Sequence, residues 1–143
     1  PDSLFVDVRG EKTMMRMLPP ALVAQLDGRG EDAESVVPAY LSPEVLLNDG
    51  IVPGSDFFNL GIVLYEMLTG ELPFDSSSRK RMIAKIISAP PADLRNHDFE
   101  PDHWPGIEVL LEELLAKSPV DRPESAHALS ARMVAMLESW LGN

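Results

Sequence analysis

No cysteine occurs among the 143 residues, which excludes disulfides, thiolate nucleophiles and cysteine-ligated zinc. Either redox environment is compatible with that absence. Positive charge is also scarce. Twelve Lys and Arg stand against 23 Asp and Glu, a net charge of −11, and such a surface repels nucleic-acid phosphate and anionic membrane on average. No apolar run approaches the roughly 18 residues that a membrane-spanning helix requires. No repeat or low-complexity tract interrupts these residues, and no signal peptide is visible among them. Because residue 1 is Pro, the expectation is that the chain is part of a longer polypeptide.

What is present suits a packed domain, since 45% of residues are apolar, far above the level of disordered chains. The weak alternation of Leu4 and Val6, then Met15 and Met17, predicts two short strands around a turn at Arg9-Gly10. The acidic, glycine-containing loop 27–34 follows. Pro43–Leu47 reads as a short helix with Ser42 as its cap and Pro at its first position. A longer helix is predicted from about Asp56 to Leu68, capped by Ser55 or Asp56 and stopped at Thr69-Gly70. Phe57, Phe58, Leu60, Ile62, Val63, Leu64, Tyr65, Met67 and Leu68 cover nearly all its faces, so it is predicted to be the central beam of the domain. Helices follow over Arg79–Ile87, 107–116 and Glu124–Leu141, with an irregular stretch at 92–106. The last helix carries a stripe of Leu129, Met133, Leu137 and Trp140.

Few residues suggest chemistry of their own. His97, Asp98, Glu100, Asp102 and His103 are close in sequence, but two prolines flank them and nothing sets them on one face, so an ordinary polar loop is expected and no metal site. Gly28 and Gly30 lack a following Lys-Ser/Thr, which argues against a phosphate-binding loop. Carboxylates are too abundant for any acid/base pair to stand out. Arg79, Lys80, Arg81 and Lys85 are four cations with no acid between them. A solvated helix face is the plain reading, and a docking patch for an acidic protein the functional one. Glu44 and Arg122 are charged residues in half-buried surroundings, each of which needs a partner; the spacing does not say which. Asp56 can accept backbone N–H groups of its own helix or of a neighbouring loop.

Three motifs in order resemble the C-terminal lobe of protein kinases. PAYLSPEVL (38–46) resembles the end of the activation segment, SDFFNLGIVLYEMLTGELPF (55–74) the family's helix F and its exit, and LLEELLAKSPVDRP (110–123) its helix H with the following Arg-Pro. The resemblance implies that Glu44 pairs with Arg122, that Asp56 holds the backbone of the catalytic loop, and that Gly61 and Trp104 take the family's structural glycine and tryptophan positions. Phe58 and Asn59 stand where the family usually has Trp and Ser.

Upstream, PDSLFVDVRGEKTMMRML is similar to the metal-binding stretch, with departures. Ser3 falls where the family has a magnesium-binding Asn, and Arg16, Met17 and Leu18 fall on its Asp-Phe-Gly. Val37 replaces a Thr that orders the catalytic loop, and Val36 a glycine. Magnesium needs oxygen ligands, which Arg16 cannot supply.

The expectation is therefore a mainly α kinase-like C-lobe of about six helices with an N-terminal β-hairpin. Residues 1–18 form a degenerate metal-loop hairpin, 19–47 an activation-like segment and 48–143 a helical subdomain, the N-lobe and catalytic loop being absent. The chain is expected to be no enzyme and to bind no cofactor or metal. It would be a pseudokinase scaffold or allosteric regulator acting through protein contacts at 27–34, 79–87 and 88–106, with a companion chain or segment over the missing upstream part. The alternatives are an active or atypical Ser/Thr kinase, or a structural subunit of a larger assembly. No nucleic-acid or membrane contact is expected; the compartment is left open, the cytoplasm being the default.

Overall fold

The computed structural model describes residues 4–9, 12–17, 38–97, 99 and 104–142, and of the first two segments the backbone. These segments are strands β1 (Leu4–Arg9) and β2 (Lys12–Met17), antiparallel, with Leu4 opposite Met17 and Arg9 opposite Lys12. The rest of the described chain is helical. A 3₁₀ turn at Pro38–Tyr40 leads to the one-turn helix α1 (Pro43–Leu46), then α2 (Pro53–Thr69), α3 (Arg79–Ser88), α4 (Ile107–Leu114) and α5 (Ala126–Leu141). Two further 3₁₀ turns occupy Leu94–Asn96 and Pro119–Asp121.

Helix starts and stops follow local chemistry. Asn48 takes φ 61° and Gly50 φ 99° in the turn after α1, conformations that Asn and Gly tolerate best. Helix α2 begins earlier than the composition suggests. Pro53 supplies its first position, where a missing N–H costs nothing, and Val52 is the residue before it. Ser55 is thus inside the first turn rather than capping it, and its Oγ accepts the Val52 N–H at 3.1 Å. Gly70, at φ 74°, ends the helix and donates its N–H to Glu66 O. Helix α5 starts two residues later than expected because Ser125 is the cap, its side chain accepting the Ala128 N–H at 3.2 Å.

Helix α2 divides the core in two. Phe58 and Ile62, one turn apart, face a cluster with Phe74, Ile86 and Leu115, closed by Tyr40, Leu46, Leu72 and Met82. Tyr65, with Phe57, Leu60, Leu64 and Leu68 beside it, faces Leu94, Ile107, Leu110, Leu111, Leu114 and Leu129. Opposite stripes of one helix thus serve two clusters, which is why its apolar residues do not form a single stripe. Met67 alone of the large apolar residues on it is mostly exposed.

Gly61 sets the spacing between α2 and α4. A Cβ there would lie 2.9 Å from both Leu114 Cβ and Leu115 Cδ2, so the two helices touch backbone to side chain where any larger residue would push them apart. On α5 the apolar stripe is only half used. Leu129 is buried and Met133 packs on the same cluster, while Leu137 and Trp140 are left exposed.

Candidate functional site

Glu44 lies in the first turn of α1 and Arg122 directly after the Pro119–Asp121 turn, and both are buried. Their side chains meet in a bidentate pair. Arg122 Nη1 donates to Glu44 Oε1 at 2.8 Å and Nη2 to Oε2 at 2.9 Å. The remaining guanidinium donors are also used: Nη1 reaches Gly54 O at 2.9 Å, Nη2 reaches Lys117 O at 3.0 Å, and Nε reaches Ala116 O at 2.8 Å. Guanidinium has five N–H groups in a fixed fork, and all are satisfied. Ser55 Oγ donates to Glu44 Oε1 at 2.6 Å, so the first turn of α2 is tied to the same carboxylate.

Burial by itself would raise the Glu44 carboxyl, but the bonds from Arg122 and Ser55 outweigh it and hold its pKa down at about 2. A charge-assisted, fully bonded pair is the form in which burial of both ions is tolerated. The cluster fastens three segments together: the 38–47 stretch, the start of α2, and the 116–122 turn.

An aromatic layer lies beneath it. The rings of Phe58 and Phe74 stack 6.0 Å apart and nearly parallel. Arg122 stands over Phe58 at 4.9 Å, and Lys117 Nζ over Phe74 at 3.8 Å. Lys117 also donates to Ile86 O, at the end of α3, at 2.7 Å. Burial, and then the repulsion of Arg122, lower its pKa to about 8.

Asp56, one residue after Ser55, is in a different situation. Its carboxylate is exposed, and it makes no hydrogen bond among the described residues, neither to its own helix nor to a loop. It stands at the rim of a groove of about 740 Å³ between α2 and α5, lined by Phe57, Leu60, Trp104, Leu129, Met133 and Leu137 among others. Among the described residues, the buried Nε1–H of Trp104 has no acceptor and the buried Oδ1 of Asn59 on α2 has no donor. Sequence reasoning singled out Trp104 and Asp56 separately. Their meeting on one groove depends on how α5 crosses α2, which no local pattern encodes.

Arg79, Lys80, Arg81 and Lys85 on α3 are each exposed; Lys85 Nζ donates to Asp75 O at 2.6 Å. Side chains of Arg16 and Met17 on β2 lie outside the described residues, as do Ser3, Leu18, Val37, the loop 27–34, and Asp98, Glu100, Asp102 and His103. His97 is described, and its Nε2 is 2.8 Å from the Tyr65 hydroxyl. Among the described residues no three His, Asp or Glu side chains lie together as a cluster of protein metal ligands would.

The family model for the protein kinase domain matches residues 22–134. The chain belongs to the protein kinase family. Its kinase relatives include serine/threonine-protein kinase pkn3 of Myxococcus xanthus, 36% identical over 101 residues, which are 69% of this chain and 18% of that protein. Serine/threonine-protein kinase PknK of Mycobacterium bovis is 34% identical over 73% of this chain and 10% of its own length. Serine/threonine-protein kinase pkn2 of Myxococcus xanthus aligns with 94% of this chain at 28% identity, again over only 17% of its length. The chain thus spans less than a fifth of each of these kinases.

The expectation that the chain is no enzyme is overturned here. The kinases it resembles are named as enzymes, and they point to a kinase. That expectation rested on Ser3, Arg16, Met17, Leu18 and Val37 at degenerate positions and on the lack of a catalytic loop in this chain. All of these positions but Val37 precede the stretch that the kinase family model matches.

Proposed function

We propose that the protein is a serine/threonine protein kinase and that this chain forms the substrate-side lobe of its catalytic domain. The observation that carries the reading is the Glu44–Arg122 cluster. Glu44 accepts from Ser55 on α2 and twice from Arg122, which also bonds Gly54, Ala116 and Lys117, so the 38–47 segment is fastened to α2 and to the 116–122 turn, and that segment corresponds by resemblance to the end of the activation segment. Phosphoryl transfer depends above all on positioning, and a rigid floor beneath the acceptor hydroxyl is what this cluster provides. The kinase names of the relatives support the same reading.

Two contacts complete the proposal. The groove beside Asp56 takes a companion segment that offers an acceptor to Trp104 Nε1, a donor to the Asp56 carboxylate and an apolar stripe to Leu60 and Met133. The exposed cations of α3 dock an acidic stretch of a protein, a regulator or a substrate, in a chain that is otherwise strongly acidic.

The test is transfer of labelled γ-phosphate by the intact protein to a mixed Ser/Thr protein substrate, with magnesium or manganese. The expected result is incorporation on Ser or Thr that falls at least tenfold, roughly, when Arg122→Lys loosens the floor. No incorporation by a folded intact protein with either metal would overturn the proposal. In that case an acidic partner still retained by α3, and lost in the Lys80→Glu/Arg81→Glu variant, would leave a role in protein contacts.

A further inference from the structure

The turn between α1 and α2 has no part in the proposed function, and its three residues are held very differently. Asn48, at φ 61°, donates its N–H to Val45 O at 3.2 Å, and Asp49 donates its N–H to Glu44 O at 2.8 Å. This pair of bonds around a left-handed residue closes a helix and fixes the chain as far as Asp49. Glu44 is itself anchored on Arg122. Beyond Asp49 the restraint stops. Gly50 takes φ 99°, its N–H has no acceptor among the described residues, and beyond its chain neighbours no atom lies within 4 Å of where a Cβ would stand. Asp49 is exposed, and its carboxyl makes no hydrogen bond or ion pair among the described residues.

A free carboxyl next to a free glycine amide can react with it within the chain, since the attacking nitrogen is neither bonded nor screened by a Cβ. The same geometry protects Asn48. Only the Asp49 nitrogen could attack its side-chain amide, and that N–H is spent on Glu44 O. Each of the other described aspartates is followed by a residue with a side chain. Of these following residues, Phe57 lies inside α2, and Arg122 donates its N–H to Pro119 O. The other Asp-Gly pair of the sequence, Asp27-Gly28, lies outside the described residues.

We propose that Asp49-Gly50 is a site of spontaneous isoaspartate formation, a self-modification that slackens the tie between α1 and α2. The Gly50 nitrogen attacks Asp49 Cγ and an N–C bond forms. The nitrogen gives up its proton and Cγ its hydroxyl, so one water leaves and a succinimide ring closes. Water then reopens the ring. Attack at Cγ restores aspartate. Attack at the main-chain carbonyl leaves that carbon as a free carboxylate, and the chain now runs through Cβ and Cγ. The water lost is regained, and nothing is oxidised or reduced. The product carries an extra carbon in the main chain just after the Asp49 N–H, which stays bonded to Glu44 O. The added length therefore falls on residues 50–52 and on the start of α2, where Ser55 Oγ holds the same Glu44. The reading does not depend on kinase activity.

The experiment ages the intact protein at neutral pH in heavy-oxygen water, natively and in urea, and reads each Asp and Asn by mass spectrometry with electron-transfer fragmentation. Each ring opening leaves one heavy oxygen, and the fragments tell isoaspartate from aspartate. Natively, Asp49 is expected to convert at least roughly tenfold faster than Asp75, Asp93 or Asp121. Its native rate should lie within about threefold of its rate in urea, because the fold leaves the Gly50 amide as open as an unfolded chain does. Asn48 should deamidate roughly tenfold faster in urea than natively, since unfolding releases the Asp49 N–H. The aged protein should unfold at a lower urea concentration than the fresh one. Asp49→Ser, a change at an exposed and unbonded side chain, should abolish both the label at 49 and that shift. A native Asp49 rate below the stated range, or no higher than that of Asp75, would overturn the proposal. So would isoaspartate at 49 that leaves the urea midpoint where it was.

Discussion

Ser55 and Asp56 are neighbours on the first turn of α2 and face opposite circumstances. Ser55 is buried and bonded to Glu44, within a cluster where every guanidinium donor has an acceptor. Asp56 is exposed beside an apolar groove in which Trp104 Nε1 has no partner among the described residues. One side of the helix is a finished interior; the other is a surface with complementary groups still to be met. Buried polar atoms are ordinarily paired, so the contrast separates what holds the lobe together from what it offers to other parts of the protein.

That contrast can be broken most forcefully at Glu44. Glu44→Ala leaves the Arg122 guanidinium buried without its anion, and urea unfolding should register a loss of about 3–5 kcal/mol. A loss under 1 kcal/mol would mean that the cluster is solvated and not a closed interior. Next in size is Gly61→Ala, whose Cβ would meet Leu114 and Leu115 at 2.9 Å. Overpacking of this kind costs about 1–3 kcal/mol by the same measurement, and a neutral result would show that α2 and α4 separate easily.

The acid limb comes third. Glu44 titrates at about 2 in the folded state against 4.5, so its stabilisation is fully present above pH 4.5 and is lost as the pH falls toward 2. Glu44→Gln should flatten that part of the pH–stability curve; an unchanged slope would assign acid unfolding to other carboxylates. Lys117 works in the opposite sense. Its folded pKa of about 8 lies below 10.5, so the unfolded chain binds more protons between these values and stability rises with pH across that window. Lys117→Met should abolish the rise and leave stability at neutral pH no lower. Smallest of all is Asp56→Ala. An exposed, unbonded carboxylate should change the stability of this chain by less than about 0.5 kcal/mol, and a larger loss would show that the open side is not open.

Much of the scaffold was legible in the sequence because local chemistry specifies it. Thr69-Gly70 ends α2, Asn48 to Gly50 turns the chain after α1, and Pro43 begins a helix where its missing N–H does no harm. The start of α2 was misplaced because Ser55 resembles a cap; Pro53 two residues earlier starts the helix instead, and Ser55 spends its hydroxyl on a distant carboxylate. Glu44 and Arg122 could be marked as charges in need of partners, and only the resemblance joined them. Lys117 gave no signal at all. Its environment comes from a ring at 74, a carbonyl at 86 and a cation at 122, three places that no periodicity connects.

The bond between Glu44 and Arg122 spans 78 positions along the chain. A loop of that length is slow to close, and its closure has to wait for nearer contacts to form. Neither ion gains anything until the helices between them have packed, since each alone would have to leave water unaccompanied. The pair therefore belongs to the last stage of folding, and amide exchange at Ala116 to Arg122 should slow only once the rest of the lobe is protected. It acts as a clasp fastened at the end, so a lobe that is incompletely assembled still has a loose 38–47 segment.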